Sequence, residues 1–353
     1  MATEQPVSIA GAGPAGLTAA IHLARAGRQV VVHEQHQDVG RRFNEDFQAL
    51  ENWTSSEDIL DTLRRIGIHT DFYCRPIHRV TSFGPRSATL VNCAQPIAYL
   101  IRRGGMSGSL DASLKQQALD HGVRLRFGSC LKETDADIVA TGPQRARAVA
   151  VGIVFETNAR EHAAVLLDDA VAPKGYAYLL TADGRGTLAV VLYTQYNHGK
   201  AGLEIAITRF TTLLGVEIRH ARYFGGYGDF DLLRSTTAGH RRYVGEAAGF
   251  QDLLFGFGIR YAVVSGYLAA RNLNDGAEYD RLCRRDFGRQ LRTSLINRYW
   301  YNLLGSRGYD LLVRASGWTR EPKRFWTKVY TKPCIRMIAY PVARRCLSPP
   351  PSR

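Results

Sequence analysis

The stretch VSIAGAGPAGLTAAIHLARAGRQVVVHEQ, residues 7–35, decides the fold of this 353-residue chain. It opens with an apolar run from Val7 to Ala10 that predicts a strand. A helical apolar pattern then runs from Leu17 to Ala24 and ends at Gly27, and a second strand is predicted from Gln29 to His33. Strand, helix and strand in this order predict an α/β chain with a parallel, Rossmann-like sheet.

Three glycines join the first strand to the helix in G-x-G-x-x-G spacing, and an acid ends the second strand. Such glycines permit a tight turn, close approach of a pyrophosphate and close helix–strand packing, in that order. The helix N-terminus favours phosphate charge, and the acid accepts hydrogen bonds from a ribose hydroxyl. An acid there suits FAD or NAD and disfavours a 2′-phosphate. The predicted dinucleotide contacts are Gly11, Gly13, Pro14, Ala15, Gly16, Glu34 and Gln35.

The next two predicted contacts follow further strands. DADIVATGPQ, residues 135–144, reads as a short buried strand that ends at Thr141 and Gly142. Tyr99 to Ile101 reads as another strand, followed by two arginines and a helix. Arg103 at this junction is predicted to pair with the pyrophosphate, because a guanidinium binds phosphate in a bidentate manner.

From Ala148 to Tyr193 the pattern changes to alternating strands rich in Val, Leu and Tyr, with a hairpin turn at Asp183-Gly184. This predicts an antiparallel sheet inserted into the nucleotide domain, forming one wall of a substrate cavity. Tyr176 and Tyr178 are candidate ligand-facing and catalytic residues on that wall.

A second glycine-rich turn, YVGEAAGFQDLLFGFG at residues 243–258, precedes a helix that starts at Ile259. A helix N-terminus carries roughly half a positive charge, which favours a negatively charged group of a bound cofactor. Glycines here leave room for a ring. The predicted cofactor contacts are Gly245, Glu246, Gly256, Gly258 and Ile259.

This turn resembles the corresponding segment of the para-hydroxybenzoate-hydroxylase-like flavoproteins, and within them the chain is most similar to geranylgeranyl reductase-like proteins over about residues 5–275. The resemblance rests on GAGPAGLTAAIHLA (11–24), Glu34, YLIRR (99–103), DIVATG (137–142), PKGYAYLL (173–180) and GEAAGFQDLLFGFGI (245–259). It implies a glutathione-reductase-type FAD-binding domain with an inserted antiparallel sheet and a helical C-terminal region, FAD held at its ribityl chain by Glu246, and reduction of isoprenoid carbon–carbon double bonds.

Three features depart from the family pattern. Glu246 stands in place of Asp, Leu253 or Leu254 in place of Pro, and RRFNEDFQALENW, residues 41–53, in place of a cysteine-bearing segment. Polar residues in this segment next to the flavin could orient substrate or protonate a carbanion; the alternative is a charged surface loop. Arg41 and Arg42 are predicted cofactor contacts, and Arg42 and Asp46 are candidate catalytic residues.

The net charge of +14 lies in one part of the chain. Residues 281–353 contain 17 Lys and Arg and 3 Asp and Glu, so 17 − 3 = +14, and the remainder is neutral. Such a segment binds a membrane surface, nucleic acid or an acidic partner, or is a solvated helical face. We predict no specific nucleic acid partner. Two alternatives stay open for this region: peripheral membrane contact, supported by Trp300, Trp318 and Trp326, and helical packing over the flavin domain.

The expected location is the cytoplasm, or peripherally the inner membrane surface, because the first residues lack a signal-peptide pattern and the six cysteines have no paired spacing. No metal is predicted. The expected domains are a discontinuous FAD domain (1–50, 95–147 and 235–275), a substrate-binding sheet domain (51–94 and 148–234), a basic helical region (276–345) and a disordered tail (346–353).

The function predicted from these features is an FAD-dependent oxidoreductase that delivers hydride to a double bond of an apolar or lipid substrate, with NAD(P)H or a reduced carrier as external electron donor. Two alternatives stay open. One is a flavin monooxygenase acting on an apolar or aromatic substrate, and the other is a non-catalytic flavin-binding protein tethered by its basic region.

Overall fold

A computed structural model describes residues 5–230, 235–319, 321–331 and 338–347. Its first layer is a six-stranded sheet made of β1 (Val7–Ala10), β2 (Val30–Glu34), β8 (Arg124–Phe127), β9 (Ile138–Val139), β15 (Thr237–Ala238) and β16 (Arg241–Tyr243). The order is β15–β16–β9–β1–β2–β8, parallel except for the edge pair β15–β16. This confirms the predicted parallel Rossmann-like sheet, in which the carboxyl ends of the strands meet at one edge.

Helices cover this sheet and bury its apolar side chains. They are α1 (Pro14–Arg25), α2 (Ile59–Arg65), α3 (Leu110–Asp120) and α5 (Ile259–Arg271). The helix α1 is buried along most of its length and packs against both α3 and α5. A Cβ atom on Gly266 of α5 would overlap the carbonyl oxygen of Ala15, so the two helices touch through their backbones.

The second large sheet contains seven strands: β5 (Arg79–Phe83), β6 (Ala88–Asn92), β10 (Ala148–Glu156), β11 (His162–Leu166), β12 (Tyr176–Ala182), β13 (Arg185–Leu192) and β14 (Arg219–Gly228). The order is β14–β10–β13–β12–β11–β5–β6, and α4 (Gly199–Leu214) packs on one face. The predicted antiparallel sheet is confirmed for the pairs among β10 to β14, and one further pair, β5 and β11, runs parallel. They come from distant segments and need no hairpin between them, so direction is unconstrained by a short turn.

The segment 51–94 is divided between layers. Its strands β5 and β6 join the seven-stranded sheet, whereas α2 packs into the core beneath α1. Its strand β4 (Cys74–Ile77) pairs with β7 (Ala98–Arg102), which also pairs with β3 (Phe47–Glu51) in a small antiparallel sheet between the two large ones.

In the part of the basic C-terminal region that the structure describes there are five helices: α6 (Gly276–Asp286), α7 (Gly288–Leu303), α8 (Ser306–Ser316), α9 (Pro322–Thr331) and α10 (Tyr340–Leu347). The predicted disordered tail begins too early, because Cys346 and Leu347 end α10, where Leu347 packs against the core; residues 348–353 lie outside the described residues. Within the described ranges, no helix has the length and apolar content needed to cross a membrane.

Candidate functional site

One cavity of about 610 Å³ lies between the carboxyl edge of the six-stranded sheet, the open face of the seven-stranded sheet and the C-terminal helices. Its dinucleotide end is the part lined by Gly11–Ala15, Glu34, Thr141–Gly142 and Gly245–Glu246. Its apolar end is the part lined by Trp53, Ile77, Val80, Val91, Ile97, Tyr178, Leu180, Phe255, Phe257 and Trp326.

The first glycine-rich turn has the geometry that its spacing predicts. A Cβ atom on Gly16 would overlap the carbonyl oxygen of Gly11, so this glycine is needed for close helix–strand packing. Gly11 has φ +103° and lies against the carbonyl oxygen of Ala140. A Cβ atom on Gly13, in contrast, would meet no protein atom within 4 Å, although the residue lines the cavity. The structure therefore leaves space for a ligand at Gly13.

Glu34 ends β2 and faces this space. One carboxylate oxygen accepts the Ala12 backbone N–H at 2.9 Å, and the other accepts that of His36 at 3.0 Å. Each carboxylate oxygen has a second acceptor site, so Glu34 can still bind a ribose hydroxyl. Its hydrogen bond to Ala12 also fixes the glycine-rich turn relative to β2.

The second glycine-rich turn lies directly beside the first. A Cβ atom on Gly245 would come within 3.0 Å of the Ala15 Cβ atom. Both α1 and α5 begin at a glycine, Gly13 and Gly258, without a side-chain cap, whereas Asp58 and Ser109 cap α2 and α3. The first N–H groups of α1 and α5 are thus left for a ligand in the cavity that both helices face.

Two of the predicted cofactor contacts bind each other. The Arg42 Nη1 atom lies 2.7 Å from Glu246 Oε2, and Arg42 also donates to the Tyr227 carbonyl. The second Glu246 oxygen accepts the Asp229 N–H at 3.0 Å. The longer side chain of Glu246, compared with the Asp of the similar family, thus ends in an ion pair at the cavity wall.

Arg103 lies at the predicted strand-to-helix junction, but its guanidinium is already engaged. It forms a buried, bidentate pair with Asp111, at 2.9 and 3.0 Å, and donates to Gln48 at 3.1 Å. Its ring contact with Phe43 is also short, at 3.9 Å to the centroid. Arg103 therefore holds β7, α3 and β3 together at the cavity wall, and its pairing with a pyrophosphate stays a prediction.

Asp46 and Tyr178, both named as catalytic candidates, are brought together at the middle of the cavity. Asp46 is buried and accepts hydrogen bonds from the Asn44 N–H at 2.9 Å and the Gln48 amide at 3.0 Å. Burial raises the pKa of Asp46, against the opposing effect of these hydrogen bonds. Burial also raises the pKa of Tyr178, and the nearby Asp46 charge raises it further.

The other two candidates bind other partners, although the Tyr176 and Tyr178 rings have centroids only 6.4 Å apart. Tyr176 is buried, and its hydroxyl donates to the Phe255 carbonyl, so it supports the second glycine-rich turn. Arg42 is committed to Glu246 and Tyr227. The remaining predicted contacts that line the same cavity are Gln35, Arg41, Pro14, Thr141, Gly142, Gly256, Gly258 and Ile259. Gly16, which packs α1 against β1, is the exception among the predicted contacts.

The apolar end is built by alternation along strands. On β12, Tyr176, Tyr178 and Leu180 face the cavity, whereas Ala177 and Leu179 belong to the core beneath α4. Side chains from β4, β5 and β6 and the rings of Trp53 and Phe257, 4.9 Å apart at their centroids, complete the wall. A cavity of this composition suits an apolar ligand.

Three features of the site were not predicted. Trp326 of α9 lines the cavity. Asp252 is fully buried and accepts the Tyr330 hydroxyl at 2.8 Å and the Phe255 N–H at 2.7 Å, and burial raises its pKa to about 6. Glu51 and Arg260 form a buried ion pair at 3.0 Å. The Asp252–Tyr330 hydrogen bond and the Glu51–Arg260 pair join residues far apart in sequence, so no local pattern could identify them.

Comparisons with known proteins agree with this architecture. Residues 9–48 match the family described as NAD(P)-binding Rossmann-like domain. A search of curated proteins found no match. Among solved structures, a geranylgeranyl bacteriochlorophyll reductase-like protein from Thermoplasma acidophilum has a TM-score of 0.72 at 18% identity, covering 97% of this chain and 98% of that chain.

Two further similar structures have different activities. CmlS, a flavin-dependent halogenase, has a TM-score of 0.61 at 17% identity, covering 99% of this chain and 71% of that chain. A variant of 2-methyl-3-hydroxypyridine-5-carboxylic acid oxygenase has a TM-score of 0.60 at 16% identity, covering 91% and 95%. The resemblance inferred from the motifs is thus confirmed for the fold, which the chain shares with these reductase-like, halogenase and oxygenase structures.

Proposed function

We propose that this protein is an FAD-dependent oxidoreductase that reduces a carbon–carbon double bond of an apolar, isoprenoid-like substrate. The observation that carries the proposal is that one cavity joins two different surfaces: one end is formed by two glycine-rich turns and Glu34, and the other by aliphatic and aromatic side chains. A cofactor bound along the first end would reach the second, where an apolar substrate would bind.

The second glycine-rich turn favours FAD over NAD. A nicotinamide dinucleotide needs only the pyrophosphate and ribose contacts around Gly13 and Glu34. The adjoining Gly245–Gly258 turn and the uncapped start of α5 provide a further binding surface beside the same site. Glu246 would bind the ribityl chain, and the N-terminus of α5 would stabilise negative charge on the reduced ring system.

The apolar end supports a substrate that carries its reactive bond in a hydrocarbon chain. When bound and reduced, FAD supplies the hydride for one carbon of that bond. The other carbon takes a proton, and Asp46 is placed to hold it, because it is buried, lines the cavity and has a raised pKa. Tyr178, beside Asp46, would orient the substrate chain. An external donor, NAD(P)H or a reduced carrier, would restore the cofactor.

The decisive experiment is anaerobic. The purified chain is loaded with FAD, reduced with light, and mixed without oxygen with a panel of prenyl lipids while flavin absorbance and products are followed. We expect flavin reoxidation together with a product that has gained two hydrogens. Failure of every alkene to reoxidise the flavin would contradict the proposed reaction.

Two other outcomes point to the alternatives. Substrate-stimulated oxygen consumption with a hydroxylated product would identify a monooxygenase; one of the similar structures is described as an oxygenase. Reduced protein that transfers electrons to no alkene, quinone or oxygen would identify a flavin-binding protein without turnover.

A further inference from the structure

The C-terminal helices carry an unusual share of exposed apolar surface. Among the described residues, 15 large hydrophobic side chains are exposed, and 8 of them fall between residues 300 and 342. They are Trp300, Leu303, Leu311, Leu312, Trp318, Phe325, Ile338 and Val342. Single exposed apolar residues are ordinary, but a concentration of this kind marks an interaction surface.

Cations are interleaved with these side chains. Residues 300–347 contain only two acids: Asp310 is buried, and Glu321 is paired with Arg324 at 2.9 Å. The exposed cations on α8, α9 and α10 are Arg307, Arg314, Arg324, Lys328, Arg344 and Arg345. Interleaved aromatic, aliphatic and basic side chains match the composition of segments that lie in the interface of an anionic bilayer.

The apolar end of the cavity is connected to this surface by aromatic rings. Phe257 and Phe255 have centroids 6.4 Å apart, Phe255 and Trp326 6.1 Å, and Trp326 and Phe325 5.7 Å. Phe257, Phe255 and Trp326 line the cavity, whereas Phe325 is 48% exposed on the outside of α9. The cavity wall at α9 is therefore also the inner side of the exposed surface.

The end of α8 lies at the same boundary. Ser316, its last residue, lines the cavity, and Trp318, two residues later, is 75% exposed. In the chain, Trp318 and Phe325 thus lie between Ser316 and Trp326, the two residues at which the C-terminal region borders the cavity. Lys323 Nζ, 3.7 Å from Asp58, and the Tyr330–Asp252 hydrogen bond hold α9 in this position.

We propose that the surface formed by α8, α9 and α10 docks on an anionic phospholipid bilayer, with Trp318 and Phe325 inserted beside the cavity. The cations would bind lipid phosphates and the apolar side chains would enter the interface. Nucleic acid would use the cations but leave Leu311, Ile338 and Val342 exposed to water, so a bilayer fits the whole surface better. The docking proposal is independent of the proposed reaction. Direct uptake of an apolar substrate from the membrane, in contrast, rests on the proposed function.

Docking is tested with the full chain and vesicles of phosphatidylcholine, with or without phosphatidylglycerol, by co-sedimentation. We expect binding to the anionic vesicles that weakens with added salt, because surface charges are screened. The double variant Trp318→Ala/Phe325→Ala should bind about tenfold more weakly, since it removes two apolar anchors. The variant Arg344→Ala/Arg345→Ala should lose binding to the anionic vesicles, whereas its interaction with vesicles of phosphatidylcholine alone should not change.

The matched control is Tyr223→Ala, which removes a 73% exposed aromatic side chain from β14, outside the C-terminal helices. It should bind vesicles like the unmodified chain. Absence of binding by the unmodified chain, equal binding by the double variant, or an equal loss in Tyr223→Ala would overturn the proposal. The proposal would also be overturned if the unmodified chain bound RNA or associated with itself and did not bind vesicles, and if the double variant abolished that interaction.

A second measurement separates this proposal from the proposed function. Alkene reduction is compared for a substrate in anionic vesicles and in detergent micelles. The double variant should be slower only with vesicles. Vesicle binding without reduction in either medium would refute the proposed function and leave docking intact, whereas reduction without vesicle binding would do the opposite.

Discussion

The two ends of the cavity are built in different ways. The dinucleotide end consists of backbone turns at the carboxyl edge of a parallel sheet, and its spacing depends on glycines. The apolar end consists of side chains from the seven-stranded sheet, the short sheet and α9, brought together from most of the chain. The difference teaches that a phosphate-binding site needs local backbone geometry, whereas an apolar pocket needs only side chains of suitable size from any element.

The strongest test of this difference is at Gly13. In Gly13→Val the added Cβ atom meets no protein atom within 4 Å, so the fold should persist while the space for the pyrophosphate is filled. We expect at least about a thousandfold weaker FAD binding, measured by flavin absorbance and titration, with unchanged thermal unfolding.

The matched variant Gly16→Val should instead destabilise the protein, because its Cβ atom would overlap the Gly11 carbonyl. Retained yellow colour in Gly13→Val would place the cofactor elsewhere.

The junction of the two ends is tested at Asp46. Asp46→Asn should slow double-bond reduction at least about a hundredfold, the usual contribution of a general acid. Because burial raises the pKa of Asp46, the protonated form persists to higher pH than for an exposed Asp, and the rate should fall as pH rises through that pKa. The measurement is the anaerobic rate of flavin reoxidation against pH.

Glu45→Gln is the control for this variant, since the neighbouring carboxylate pairs with Arg185 outside the cavity lining. If Asp46→Asn keeps both the rate and its pH dependence, the proton comes from water or another group.

The wall of the apolar end is tested through Asp252. Its pKa is raised from 3.8 to about 6 by burial, so the folded protein binds a proton more tightly than the unfolded chain. This stabilisation is complete below about pH 4 and is lost as pH rises through 6, amounting to roughly 2–3 kcal/mol. The unfolding temperature of the unmodified chain should therefore fall as pH rises through this window, relative to that of Asp252→Asn.

Parallel pH dependence in both proteins would show that Asp252 does not titrate in this range. Tyr330→Phe tests the hydrogen bond to Asp252, because this substitution removes only the hydroxyl that donates to the Asp252 carboxylate.

The smallest effect is expected at the ion pair of the dinucleotide end. Glu246→Ala should weaken FAD binding about tenfold, because one charge-assisted contact to the ribityl chain is lost, and Glu246→Asp should bind nearly as well as the unmodified chain. Arg42→Ala breaks the same ion pair but keeps the carboxylate. Equal losses in Glu246→Ala and Arg42→Ala, measured by flavin titration, would show that the pair matters more than a direct ribityl contact.

The sequence by itself determined the dinucleotide end. Glycine spacing, the acid at Glu34 and the strand–helix–strand pattern are local consequences of backbone sterics and hydrogen bonding, so they can be read without the rest of the chain. The second glycine-rich turn was also readable, because its glycines precede a clear helix. How the two turns meet was shown by the tertiary structure: the close approaches of Gly245 and Gly266 to Ala15 place them side by side.

Tertiary structure alone decided which polar residues are free to act and which apolar residues form the pocket. The Arg103 guanidinium has the chemistry of a phosphate ligand, yet it forms an ion pair with Asp111. Arg42 and Glu246 likewise form an ion pair with each other. Trp326, from a region distinguished in sequence by its charge, became part of the cavity wall. Side-chain pairing and pocket shape depend on contacts between distant segments, and the physical terms that set them, burial and ion pairing, exist only once those segments have come together.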